Sequence, residues 1–168
     1  MQAHYDKWWA AVGENLNVYQ AIIIGSQQEN PMRLCSCDWA WAYADNQNNM
    51  RGCVMESGSW HVEIERDGLY NLALRRWPEE SSLGIAAPAP VMQGIDGSWP
   101  EGKALPVASA WLQAGECEQT QPVPDGAAQV AFRMALRRGP ATVKSWWNDA
   151  QGNQLAGAFY LTAELLAR

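Results

Sequence analysis

Residues 58–79, GSWHVEIERDGLYNLALRRWPE, restrict the fold more than any other stretch of the chain. Trp60, Val62 and Ile64 alternate with His61, Glu63 and Glu65, and Tyr70, Leu72 and Leu74 alternate in the same way beyond Asp67-Gly68. A period of two marks strands with one buried face. The spacing also sets an expected register. A two-residue Asp67-Gly68 turn would set Glu63 and Glu65 opposite Leu72 and Tyr70 and mix the faces. A three-residue loop of Arg66, Asp67 and Gly68 pairs Ile64 with Tyr70, Val62 with Leu72 and Trp60 with Leu74. It also puts Gly68 where a left-handed residue is wanted. The run is expected to be a hairpin with one apolar face.

The remaining chain reads in the same idiom. Residues 5–13, YDKWWAAVG, are the best helical candidate, ended by Gly13. Trp8 and Trp9 cannot share one helix face, so one is expected on the core and the other on a partner. Val18–Ile24 reads as a buried strand, Met32–Cys35 as a short one, and 44–52 as a polar loop. Residues 78–106 carry Pro78, Pro88, Pro90, Pro100 and Pro106, with four glycines among them, and make a long irregular excursion. Further strands are expected within 106–114, 129–136, 141–147 and 157–166, with Val130, Phe132, Met134 and Leu136 on one face. Short strands separated by turn signals indicate an all-β fold, a mainly antiparallel β-sandwich with a short N-terminal helix. At 168 residues and 48% hydrophobic content, residues 1–168 are expected to form one domain.

Charge excludes one large class of partners. The formal net charge is −6 and the pI is near 4.8, and the adjacent basic pairs Arg75-Arg76 and Arg137-Arg138 close strands, where a solvated end is expected. Nucleic acid is therefore not an expected partner. MQAHYDKWWA lacks the basic and apolar regions of a secretory signal, and the apolar runs are too short to span a bilayer. The chain as written is expected to be soluble and cytoplasmic with no membrane partner, or secreted or periplasmic if cut from a larger chain. Cys35, Cys37, Cys53 and Cys117 are expected as reduced thiols. Cys35 and Cys37, two apart on a strand, would point the same way, but neither they nor His4 and His61 have metal-site spacing. Asp38, Asp45 and Asp96 share no calcium-loop spacing. No metal or cofactor is expected.

Ten tryptophans are the other oddity. Indole faces stack on sugar rings, whereas in cores they bury much apolar area around one N–H. Trp60 and Trp111 are expected in the core, and one of Trp146 and Trp147 must face out. Asp38, Trp39 and Trp41, beside the polar loop, and Trp99, in the excursion, are candidate ligand-binding residues. Arg75, Arg76 and Trp77 are candidates too, since guanidinium forks suit sulfate or carboxylate. The bland alternative is an arginine stacked on indole or paired with Glu63 or Glu65. His61 alternates with the core face and is expected toward solvent. No G-x-S-x-G run or converging set of carboxylates indicates an enzyme.

The order of segments carries a resemblance. DKWW precedes IIIGSQQENPMRLCSCDW, then GSWHVEIERDGLYNLALRRWP, ALPVASAWLQ, QVAFRMALRRGPATVKSWW and NDAQGNQLAGAFYL. Over residues 4–166 this resembles the C-terminal region of bacterial arylsulfatases of the alkaline-phosphatase-like superfamily, Leu74-Arg75-Arg76-Trp77-Pro78 being its most specific motif. The resemblance implies a fold and an ancestry. The family's catalytic domain, with its metal ligands and formylglycine-forming Cys/Ser-x-Pro/Ala-x-Arg motif, has no counterpart here. Where the family often has His-Asp-Trp, this chain has Cys37-Asp38-Trp39. The expectation is a non-catalytic binding or assembly module, taking a glycan or sulfated saccharide through surface tryptophans, and self-associating as a homo-oligomer. The alternative is an accessory subunit that docks on a separate sulfatase-like catalytic chain.

Overall fold

The computed structural model describes residues 1–16 and 20–166. Helix α1 (Gln2–Val12) leads to β1 (Ile22–Ile24), β2 (Met32–Cys35) and a second short helix, α2 (Gln47–Gly52). Strands β3 (Ser59–Ile64) and β4 (Gly68–Arg75) follow, then the small strands β5 (Met92–Gln93) and β6 (Ser98–Trp99). The chain closes with β7 (Ser109–Ala114), β8 (Cys117–Pro122), β9 (Val130–Leu136), β10 (Gly139–Asn148), β11 (Gln154–Ala156) and β12 (Tyr160–Leu165). One sheet runs β1-β3-β10-β7-β8, with β11 also on β10; the second runs β2-β12-β4-β9; β5 and β6 form a separate ribbon. All pairings are antiparallel except β1 with β3. The all-β sandwich with a short N-terminal helix is the observed architecture.

The apolar faces of 58–77 are as read, but their partners are not. Trp60, Val62 and Ile64 are buried, as are Tyr70, Leu72 and Leu74. The two strands do not form a hairpin. β3 pairs with β10, Trp60 opposite Val143, while β4 pairs with β9 and β12 in the other sheet. Side by side, two amphipathic strands still need a layer to cover them. Placed in opposite sheets, they bury their apolar faces in the same core. Three residues, Glu65, Arg66 and Asp67, make the crossing. Tyr70 Oη donates to Arg66 O at 2.8 Å, and Arg66 Nε donates to Gly25 O at 2.7 Å. Gly25 sits at φ 75°, and a Cβ there would lie 2.0 Å from Tyr70 Oη. Gly68 is not left-handed; its smallness matters because a Cβ would lie 2.4 Å from Leu165 Cδ1.

Other expectations need correction. β1 begins at Ile22, and Val18 and Tyr19, the start of the expected strand, lie outside the described residues. Helix α1 has no buried residue, so neither Trp8 nor Trp9 packs on the core; both ring systems contact Tyr5. The expected polar loop winds into α2 because the Asn46 side chain accepts from Asn49 N at 3.0 Å and Met50 is buried beneath it. Strand β8 escapes any apolar pattern. Its inward positions are Gln119 and Gln121, opposite Leu112 and Ala110. Gln119 Nε2 instead donates across the open edge to Arg133 O on β9, at 3.1 Å.

Candidate functional site

Arg75 ends β4, and Arg76 and Trp77, which follow it, anchor the excursion. Arg76 is completely buried rather than solvated. Its guanidinium lies 4.4 Å from the Trp77 ring centre and donates to the carbonyls of Ile85 (3.3 Å), Ala87 (3.3 Å) and Lys103 (2.6 Å). Burial lowers its pKa, which the neighbouring Cys53 partly opposes. Trp77 is buried and donates from Nε1 to Ala87 O at 3.0 Å. Arg75 pairs with Glu79 at 3.3 Å, not with Glu63 or Glu65. A second buried guanidinium, Arg51, donates to Pro90 O and Pro100 O, both at 2.7 Å. Ile85 and Ala89 are buried in turn. These arginines hold backbone, and none of Arg76, Trp77 or Arg51 offers a free face to a ligand. Trp99 stands half-buried opposite Met92 in the β5–β6 ribbon.

Asp38, Trp39 and Trp41 part company within four residues. Ser36–Asp38 is a single 3-10 turn, not strand, and Asp38 Oδ2 accepts from Cys35 N at 2.8 Å. Burial, reinforced by Asp38 and Cys37, pushes the Cys35 thiol up to about 11. Trp39 is core: it packs edge-on to Trp60 (5.7 Å, 64°) and against Phe159 (5.8 Å). Gly58 allows this, since a Cβ there would lie 2.4 Å from Trp39 Cβ.

Trp41 is the opposite case. It is 92% exposed and holds φ 71°, the left-handed region that bulky residues rarely enter. The loop that carries it is tied at many points. Ala40 and Ser59 exchange backbone hydrogen bonds of 2.9 and 3.1 Å. Ser36 Oγ donates to Ala44 O, and Cys37 Sγ lies 3.9 Å from Asp45 O. Asn49 Nδ2 donates to Tyr43 O at 3.0 Å, and Tyr43 N donates to Glu56 Oε2 at 3.3 Å. Ala42 and Ala44 turn inward, Ala44 fully buried, while Trp41 and Tyr43 turn outward. Tyr43 is 65% exposed, and a hydrogen bond to Asp45, then that carboxylate's charge, raises its phenol pKa. Met55, 72% exposed, precedes Glu56. The result is a fixed pair of solvent-facing aromatics, with the Glu56 carboxylate held on Tyr43 N and the Asp45 carboxylate two residues on. Flat apolar rings beside hydrogen-bond acceptors can stack on a sugar ring and accept from its hydroxyls.

The sequence did not single out Tyr43 or Glu56. The inward alanines alternating with outward aromatics over 41–44 were the available signal. It also placed Trp111 in the core, whereas Trp111 is half-buried on the outer face of its sheet, directly opposite Trp146, while Trp147 is buried. His61 is likewise half-buried on that outer face, opposite Thr142. Among the described residues, no three His, Cys, Asp or Glu side chains converge to hold a metal ion, and no helix is long and apolar enough to cross a membrane.

No family model and no curated protein matches the chain. Fourteen solved chains do. One of them is a ruminal GH26 endo-β-1,4-mannanase, 13% identical, with a TM-score of 0.47. The match covers 83% of this chain and 27% of the mannanase, so the chain spans about a quarter of that protein's length.

Proposed function

We propose that this chain is a non-catalytic β-sandwich module that binds a glycan through Trp41 and Tyr43, and that it descends from a sulfatase C-terminal region. The observation that carries the binding role is Trp41, an indole 92% exposed on a left-handed residue in a loop tied by hydrogen bonds. Backbone held in a costly conformation while its side chain packs on little points toward function. The descent rests on the motif order and on Leu74-Arg75-Arg76-Trp77-Pro78, whose arginine and tryptophan here anchor a long excursion.

Titration of intrinsic tryptophan fluorescence with a panel of neutral and charged oligosaccharides tests the binding role. A saturable change is expected from at least one of them. Trp41→Ala should weaken it by about tenfold or more, the usual scale for removing an aromatic anchor, and Trp99→Ala should leave it intact. A response unchanged in Trp41→Ala would remove this loop from the account.

A second reading is favoured by α1. Tyr5, Trp8 and Trp9 are each about half exposed (51%, 52% and 45%), an aromatic surface suited to a second copy or to a separately encoded sulfatase-like chain. Light scattering on the purified chain gives the outcome. A dimer that Trp8→Ala/Trp9→Ala dissociates supports self-association, and a monomer at high concentration counts against it.

A further inference from the structure

The charges around Trp41 narrow the ligand class, and the inference rests on the glycan reading above. Residues 36–58 contain four charged side chains: Asp38, Asp45, Arg51 and Glu56. Arg51 is buried, its donors committed to Gln47, Pro90 and Pro100. Asp38 is half-buried and accepts from Cys35 N. Asp45 and Glu56 remain, both exposed: Asp45 raises the Tyr43 phenol pKa, and Glu56 accepts from the Tyr43 backbone N–H at 3.3 Å. Lys144 lies across Ser59 from Ala40 on the outer sheet face, and Lys103 adjoins the far end of α2, its backbone N–H donating to Arg51 O at 2.9 Å.

An anion such as a sulfate ester or a uronate would be repelled by both carboxylates as it approached the indole. A protonated amine would be attracted by both, and also by the negative faces of Trp41 and Tyr43. The net charge of −6 acts in the same direction at longer range. We propose that the Trp41–Tyr43 site selects saccharides bearing protonated amino groups, of the glucosamine-oligomer kind, over sulfated ones. Sugar rings stack on the indole while the ammonium groups meet Asp45 and Glu56. This runs against the sulfated ligand that the arylsulfatase resemblance would suggest.

The test is fluorescence or calorimetric titration at about pH 5.5, where amines are charged and ordinary carboxylates ionised. The probes are a glucosamine hexamer, its fully N-acetylated counterpart and a sulfated hexasaccharide. The glucosamine hexamer is expected to bind at least about fivefold more tightly than the N-acetylated one, and the sulfated probe most weakly. The preference should shrink in about 0.5 M salt. Asp45→Asn/Glu56→Gln should abolish the preference, bringing the amine and N-acetyl affinities together, and Trp41→Ala should lose both. All three substituted side chains are exposed, so folding is not at risk. Equal affinity for amine and N-acetyl probes, both lost in Trp41→Ala, would overturn the amino-sugar assignment and leave the glycan site standing. So would tightest binding of the sulfated probe. Undiminished binding of the glucosamine hexamer to Trp41→Ala would reduce the attraction to bulk charge and overturn the assignment. No binding of any probe would overturn the glycan reading itself.

Discussion

A left-handed tryptophan costs about 1–2 kcal/mol relative to ordinary backbone, and Trp41, almost wholly in solvent, recovers little of that by packing. Trp41→Gly is therefore expected to leave the unfolding free energy within about 1 kcal/mol of the parent, because relief of strain offsets the added freedom of the unfolded chain. Trp39→Ala, two residues earlier, should cost about 3–5 kcal/mol through the cavity it leaves against Trp60 and Phe159. Urea denaturation of the two variants checks the contrast; equal losses would mean that Trp41 is a packing residue after all. The sequence shows only two indoles flanking Ala40. Which of them is core is decided by the Ala40–Ser59 bridge and the left-handed turn after it, and neither leaves a mark in hydrophobic periodicity. At the same scale, burial holds the Tyr160 phenol up to about 12 and the Cys35 thiol up to about 11, above ordinary values of 10.0 and 9.0. Raised acids bind protons more firmly in the folded state. Their contribution is complete below about pH 9 and is lost as pH rises toward 12. Melting temperature should fall across that window, and Tyr160→Phe should flatten its upper part.

Among the elements, the crossing from β3 to β4 turns on one phenol. Tyr70 is fully buried, and its hydroxyl ties the Arg66 carbonyl within the three-residue connection between sheets. Tyr70→Phe should cost about 1–2 kcal/mol, since it leaves the carbonyl without its donor while the ring still packs. Thermal unfolding measures this, and a neutral substitution would show that the corner is set by strand pairing alone. Gly25→Ala should be worse, because a Cβ both clashes with that hydroxyl and demands left-handed backbone. The alternation in 60–64 and 70–74 was enough to name both strands and their core face, though not Ala73, which is buried on the other side. It could not tell a hairpin from a sheet crossing, because period and short loop serve both, and the true partners β10, β9 and β12 lie tens of residues away. β9 and β12 were legible for the same reason as β3, whereas β8, which turns glutamines inward, was not.

For the whole molecule, the long stretch after Pro78 is part of the body of the protein. Proline and glycine spacing identified it as irregular; nothing local indicated that Arg51 and Arg76, far apart in sequence, hold its carbonyls. Arg76→Ala should destabilise the chain by about 3–5 kcal/mol, because it leaves the Ile85 and Lys103 carbonyls without donors and the Ala87 carbonyl with Trp77 Nε1 alone. Limited proteolysis should then cut first within 82–105. A variant as protease-resistant as the parent would show that Ile85, Ala89 and Trp77 are sufficient to hold the segment. The chemistry of the clasp has a last consequence. Loops closed by arginine on carboxylate open in acid, when the carboxylate takes up a proton, and loosen in salt. Peptide carbonyls do neither in any solvent a protein meets, so this excursion is fastened by a catch that acidification does not undo.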